Sequence, residues 1–267
     1  MQRILANVQA SQSATLSGAI TVNNATWEVD SGDTLTVSGA VSGSGGVTKN
    51  GTGTLVLSGS NSYTGATAVN SGTLVAGATN ALGNSTAVDI YGGSLLVTAD
   101  NAINDAAAIN LGGGVLALSG TFDESVGLLT LSSNSVINLD GFSGVLRFGG
   151  VGSWGSGANL AIWNWSGTTL SGTQINNYAN PSHVVFTDQT GLTGNLGKIS
   201  FFSGSGTGFI GNAFEQSFSQ SGFATSTEII AVPEPETYAV AVILLLGLGI
   251  HAYRTHRRRT EQKQAQN

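Results

Sequence analysis

The chain has 267 residues, 9 basic and 15 acidic side chains, a net charge of −6, 40% hydrophobic residues, 39 glycines, 3 prolines and no cysteine. Absent cysteine excludes disulfides, thiolate metal sites and a cysteine nucleophile. Evenly spread Val, Leu and Ile exclude a disordered chain, which is poor in branched apolar residues and high in net charge.

Charge is divided along the chain. Residues 1–230 carry 12 acids and 4 bases (Arg3, Lys49, Arg147, Lys198), a net −8, whereas residues 231–267 carry 3 acids and 5 bases, a net +2. Nucleic-acid binding needs clustered Lys and Arg, so an acidic body argues against such a partner. The chain opens with Met1-Gln-Arg-Ile-Leu-Ala-Asn-Val-Gln-Ala, which lacks the apolar core of about 7–15 residues found in an export signal. Either the true start lies upstream of Met1 or the chain is a fragment, and the first is the expectation, because Ala14 already begins a repeat.

A repeat follows. Short apolar runs begin at Ala14, Asp33, Gly53, Gly72, Gly93 and Gly114, spaced 19, 20, 19, 21 and 21 residues apart. Weaker runs lie between them at Thr67, Ala87 and Ala107. Apolar residues alternate with a period of two and Gly interrupts nearly every run, which predicts strands joined by tight corners. One winding of about twenty residues cannot bury its own apolar side, so windings must stack on one another. The predicted fold is all-β: a right-handed parallel β-helix, or solenoid, over residues 1–150, the hand following the crossover rule.

Residues 46–77 carry Lys49, Gly51, Gly53 and Leu55, then Asn61, Tyr63, Thr64 and Gly65, then Gly72, Thr73 and Leu74. This pattern resembles the autotransporter-associated β-strand repeat, a unit of exported passenger domains. The resemblance implies architecture and surface display. Alternating strands of about ten residues, as in a membrane barrel, are missing from the last forty residues.

The period loosens through Gly127, Ser135 and Gly144, and beyond Val151 aromatic residues such as Trp154, Trp163 and Trp165 become frequent. Residues 151–230 are therefore expected to form an irregular C-terminal β cap, since a solenoid needs its open edges covered. By alternation Trp163 and Trp165 would share one strand face and belong to that cap.

In residues 231–267, Pro233, Glu234 and Pro235 precede an apolar stretch at 239–250 and the cluster Arg254, Arg257, Arg258 and Arg259. From Thr237 to Tyr253 there are 17 residues, about 25 Å as a helix, which spans a bilayer with modest thinning. The arginines would hold the distal end in the cytoplasm. The order Pro-Glu-Pro, apolar helix, basic end closely resembles the PEP-CTERM sorting signal of Gram-negative bacteria. That resemblance implies export, arrest by a single transmembrane helix in the inner membrane, cleavage near Pro233-Glu234-Pro235 by an exosortase, and association with exopolysaccharide and biofilm at the cell surface.

No catalytic, cofactor or metal site is expected. Asp89, Asp100, Asp105, Asp123 and Glu124 read as solvated corner residues, and His183 is the one histidine of the body. Gly-rich segments such as 42–46 lack the Lys-Ser/Thr ending of a phosphate loop. The function predicted is a non-enzymatic, adhesin-like surface or matrix protein. The alternative is a carbohydrate-active β-helix enzyme carrying the same tail, because the fold permits carboxylates on one solenoid face.

Overall fold

The computed structural model describes residues 3–164, 182–188, 191–203, 209–218 and 226–232. Strands are numbered in chain order and stack as two parallel ladders. The first contains β1 (Arg3–Ala10), β3 (Ile20–Val29), β5 (Val41–Ser42) with β6 (Val47–Asn50), β8 (Thr67–Val69), β10 (Ala87–Ile90), β12 (Ala108–Leu111), β15 (Glu124–Leu131), β17 (Phe142–Trp154) and β19 (Ser182–Phe186). The second contains β2 (Ala14–Leu16), β4 (Thr34–Val37), β7 (Thr54–Leu57), β9 (Thr73–Ala76), β11 (Ser94–Val97), β13 (Val115–Leu118), β16 (Ser135–Asn138), β18 (Leu160–Trp163) and β20 (Ile199–Phe202). A short β14 (Gly120–Thr121) adds to β17. The chain is an all-β parallel solenoid, and its described helix is one 3-10 segment, Thr193–Lys198.

Period-two alternation fixes which side chains enter the bore. In the second ladder Leu35, Leu55, Leu74, Leu95, Leu116, Ile137, Ile162 and Phe201 lie in register, one above the next, and all are buried. This column explains why Leu recurs after Gly-Thr: that residue meets its own counterpart about 4.8 Å above and below, and each buried leucine contributes about 1.5–3 kcal/mol. In the first ladder Val126, Phe148 and Phe186 make a matching column, with the two rings stacked at 5.2 Å.

Outward positions of the second ladder form two rows. One runs Thr36, Val56, Val75, Leu96, Ala117, Asn138; the other runs Thr34, Thr54, Thr73, Ser94, Val115, Val136. These side chains are half-buried by their row neighbours.

Corners are packed too closely for side chains. Gly72 adopts φ +66°, and a Cβ there would lie 2.4 Å from the Gly53 carbonyl oxygen. At Gly65 a Cβ would lie 2.2 Å from the Gly46 amide nitrogen. Asn80 and Asn101, also with positive φ, turn successive corners, the Asn80 amide donating to the Asn101 carbonyl at 2.8 Å.

Parallel pairing continues beyond Val151, where the spacing loosens. Ile137, Ile162 and Phe201 keep the register although they are 25 and 39 residues apart. One residue is gained within β17, where its register against β15 shifts between Leu129 and Leu131, and the ladder persists after the fixed period disappears. Likewise Gly127 and Gly144 belong to β15 and β17 of the first ladder, not to the Gly-Thr-Leu column.

The last strands are antiparallel: β21 (Phe209–Phe218) pairs with β20, and β22 (Ser226–Val232) pairs with β21 and with β19. The final strand of each ladder thereby has a neighbour, which blunts edge-to-edge pairing. Pro233, Glu234, Pro235, the stretch 239–250 and the arginine cluster lie outside the described residues. Among the described residues no helix is long and apolar enough to cross a membrane.

The two sides of one strand test the packing. Leu74→Ala should cost about 2–5 kcal/mol in chemical denaturation, whereas the neighbouring outward change Val75→Ala should cost less than about 1 kcal/mol. Equal losses would mean that the bore is not the stabilising core.

Candidate functional site

The described polar groups with unusual surroundings lie inside the windings. Lys49 is the second inward residue of β6, in register between Trp27 and Val69, and is fully buried. Its ammonium donates to the carbonyl oxygens of Asn50 at 2.6 Å, Gly51 at 2.7 Å and Ser71 at 3.4 Å. Three donors thus meet three corner carbonyls, two from one winding and one from the next. Burial pushes the Lys49 pKa down to about 8, opposed by the Glu28 carboxylate. Gly72 is part of this arrangement, since a Cβ there would stand 2.9 Å from the Lys49 nitrogen.

Asn61 performs a similar task with a neutral side chain. Its Oδ1 accepts from the Val41 amide at 2.8 Å and its Nδ2 donates to the Ala81 carbonyl at 2.5 Å. One side chain therefore links the windings on both sides of its own. Tyr63, also fully buried, places its hydroxyl 2.8 Å from Thr67 Oγ1, which lies 2.8 Å from Ser85 Oγ. Ser85 completes the chain by donating to the Leu82 carbonyl at 2.7 Å. Burial holds the Tyr63 phenol up at about 12, so it stays protonated and serves as a hydrogen-bonding strut. Lys49, Asn61 and Tyr63, which mark the repeat in the sequence, are thus corner fasteners.

Glu124 is a correction to the expectation of a solvated corner. It is the first residue of β15 and only 1% exposed, while its neighbour Asp123 is exposed. Alternation separates the two acids: Asp123 Oδ1 accepts from the Val145 amide at 2.8 Å in the following winding. Glu124 turns inward, where its oxygens accept from the amides of Ile103 at 2.9 Å and Ala102 at 3.1 Å in the preceding one. Burial raises its pKa to about 7; the two amide bonds lower it, and the charges of Asp100 and Asp105 raise it further. Backbone donors that need an acceptor are what the sequence could not display.

The remaining acids divide. Asp100 and Asp105 are exposed beside the Glu124 corner, and Asp100 accepts from Asn101 Nδ2 at 2.9 Å. Asp89 stands elsewhere, on the outer side of β10, accepting from Asn110 Nδ2 at 2.6 Å. Among the described residues no three His, Cys, Asp or Glu side chains are placed to hold a metal. His183 belongs to β19 opposite Val145. Trp163 occupies an outward, half-buried position on β18 opposite Asn138, and Trp165 lies outside the described residues. Of the aromatic residues expected in a cap, Trp154 packs against the core and donates from Nε1 to the Leu129 carbonyl at 3.2 Å.

Residues 47–76 match the Passenger-associated-transport-repeat family. That segment runs from β6 to β9 and holds Lys49, Asn61, Tyr63 and Thr67, so the repeat expected from the sequence is a pair of stacked windings with its fasteners. A stretch of 52 residues is 56% identical to the Adhesin BmaC autotransporter of Brucella suis biovar 1 (strain 1330), covering 20% of this chain and 1% of that adhesin's length. No solved structure matches.

The Glu124 shift has a sign. A carboxyl whose folded pKa is raised favours the folded state fully below its unfolded pKa, and that stability is lost as pH rises through about 7. Thermal unfolding should therefore show a melting temperature that rises as pH falls from 8 to 5, by a free energy on the order of 3 kcal/mol at this one group. Glu124→Gln should flatten that slope and lower stability at pH 5, because its NH2, a donor, replaces one of the two oxygens that accept from the Ala102 and Ile103 amides. A slope unchanged in the variant would assign the pH dependence to another group.

Proposed function

We propose that this chain is an exported, non-enzymatic, adhesin-like protein of the cell surface or extracellular matrix. The observation that carries the reading is the 47–76 repeat, whose matched residues are spent on joining windings. The similarity of a 52-residue stretch to an autotransporter adhesin agrees with surface display. A stack of windings is suited to that role: it projects a surface away from the membrane with each winding held by its neighbours.

The carboxylates that a sugar-cleaving site would need are engaged separately. Glu124 is enclosed with both oxygens on backbone amides, and Asp123 and Asp89 serve other windings. General acid catalysis requires a carboxyl that can reach its substrate, and this Glu124 geometry supports a structural role instead.

Delivery is proposed to follow the C-terminal signal: arrest by a transmembrane helix over residues 237–253 with Arg254, Arg257, Arg258 and Arg259 inside, then cleavage by an exosortase near Pro233, Glu234 and Pro235. The two prolines keep that segment extended and unable to join the following helix. Exopolysaccharide is the proposed surface partner and biofilm the proposed setting.

Mass spectrometry of the surface-released protein provides the test. Its C-terminus should fall close to Pro233-Glu234-Pro235, and Glu234→Ala should leave uncleaved protein in the inner membrane. Recovering peptides from residues 257–267 on surface-exposed protein would end the processing scheme, and finding the chain in the cytosol would end the surface reading as a whole.

A further inference from the structure

Two apolar side chains stand out on the first ladder. Tyr91, directly after β10, is 52% exposed and Leu128, in β15, is 48% exposed; they are the exposed large hydrophobic residues among those described. Alternation turns both to the outer face, together with Asp89 and Asn110. Ile90 pairs with Leu111 and Ile109 with Leu129, so Tyr91, Asn110 and Leu128 lie on one diagonal, each a winding further along and two residues back. At about 4.8 Å per winding and 3.3 Å per residue, the track is about 16 Å long. Glycine lets its apolar ends lie down along the surface. A Cβ at Gly112 would stand 2.7 Å from Tyr91 Cδ1, and one at Gly150 would stand 3.2 Å from Leu128 Cδ2. Between these ends Asn110 Nδ2 donates to Asp89 Oδ1 at 2.6 Å. That bond fixes two planar polar groups and uses only part of their hydrogen-bonding capacity.

We propose that this diagonal is a binding track for a neutral polysaccharide: Tyr91 stacks on the apolar face of one sugar ring, Asp89 and Asn110 hydrogen-bond the hydroxyls of the next, and Leu128 covers a third. A pyranose has C–H faces and a rim of hydroxyls, so a chain of them presents apolar and polar surface in turn, as the diagonal does. Two observations favour a sugar over a protein. Tyr91 and Leu128 are separated by the polar pair and by the small residues Ala108 and Gly112, so they form no contiguous apolar patch of the kind a protein partner covers. The strands are paired on both sides, β10 with β8 and β12, and β15 with β12 and β17, so no edge is open for a peptide to join as a further strand. Charge selects the class of sugar. Asp89 is the one charged residue of β8, β10 and β12, and its carboxylate repels acidic saccharides.

One stacked ring and a few hydrogen bonds make each contact weak. Binding becomes effective where many copies meet many repeats of one polysaccharide. The inference rests on the reading above of a surface protein that meets polysaccharide, and adds the residues that hold it and the charge class of the sugar. A chain that is exported but binds no glycan would fail this proposal alone, whereas a chain that binds glycan but stays in the cytosol would fail the surface reading alone.

The test applies the full chain, in mild detergent, to an array of neutral and acidic oligosaccharides with gelatin as a protein control. At least one neutral glycan should retain it, and the acidic ones should not. Titrated with that glycan in solution, Tyr91→Ala should raise Kd about tenfold while its melting temperature stays unchanged. Tyr91→Phe, which keeps the ring, should bind nearly as the wild type does, and Asn110→Ala should bind more weakly. Val75→Ala, on the second ladder, should leave Kd unchanged. Retention by no neutral glycan, binding confined to acidic glycans or to gelatin, or a Kd indifferent to Tyr91→Ala would overturn the proposal.

Discussion

Everything in this molecule depends on the stacking of one winding upon the next in register. A single winding of the middle of the stack, such as β8 with β9, offers two strands of three or four residues, too short to be stable alone, with an apolar side that it cannot cover by itself. Cover comes from the windings above and below, as in the column from Leu35 to Phe201. A slip of one residue at any level would turn the leucines outward and bring Thr and Val rows into the bore. The corners must therefore be tight, which is why glycine at Gly65 and Gly72 meets backbone atoms rather than space.

Polar groups enclosed by that stacking have no access to water, and apart from Trp27 Nε1 the described ones find partners within it. Three of the fasteners solve this in different ways: Lys49 with a cation on three carbonyls, Asn61 with an amide that both donates and accepts, and Glu124 with a carboxyl on two amides. Each connects neighbouring windings, so the cost of burying it is offset where the chain turns and the regular ladder has lapsed. The two charged examples carry pKa values moved toward neutrality, Lys49 down and Glu124 up, which is the effect of burial on any ion.

The same constraint links fold to use. Inner positions are committed to the stack, so corners and outer rows are where the molecule can vary. Its outer rows are unequal: one ladder is charged and the other is not. The described windings present regular outer rows.

The sequence by itself determined the windings. Period-two alternation and Gly corners at twenty-residue spacing specify short strands, and Gly-Thr-Leu places leucine in the bore, because those signals are local to each strand. Residues 49–74 also disclosed their repeat, since its fasteners lie in a fixed order. Tertiary structure decided the matters that depend on residues twenty to forty positions away. It decided that Glu124 turns inward to amides of the preceding winding while Asp123 stays out, and that Gly127 and Gly144 fall on the first ladder. It also carried the column on to Ile162 and Phe201 after the spacing had ceased to be regular. In each case the deciding partner is a backbone group or side chain of another winding, and stacking alone brings it near.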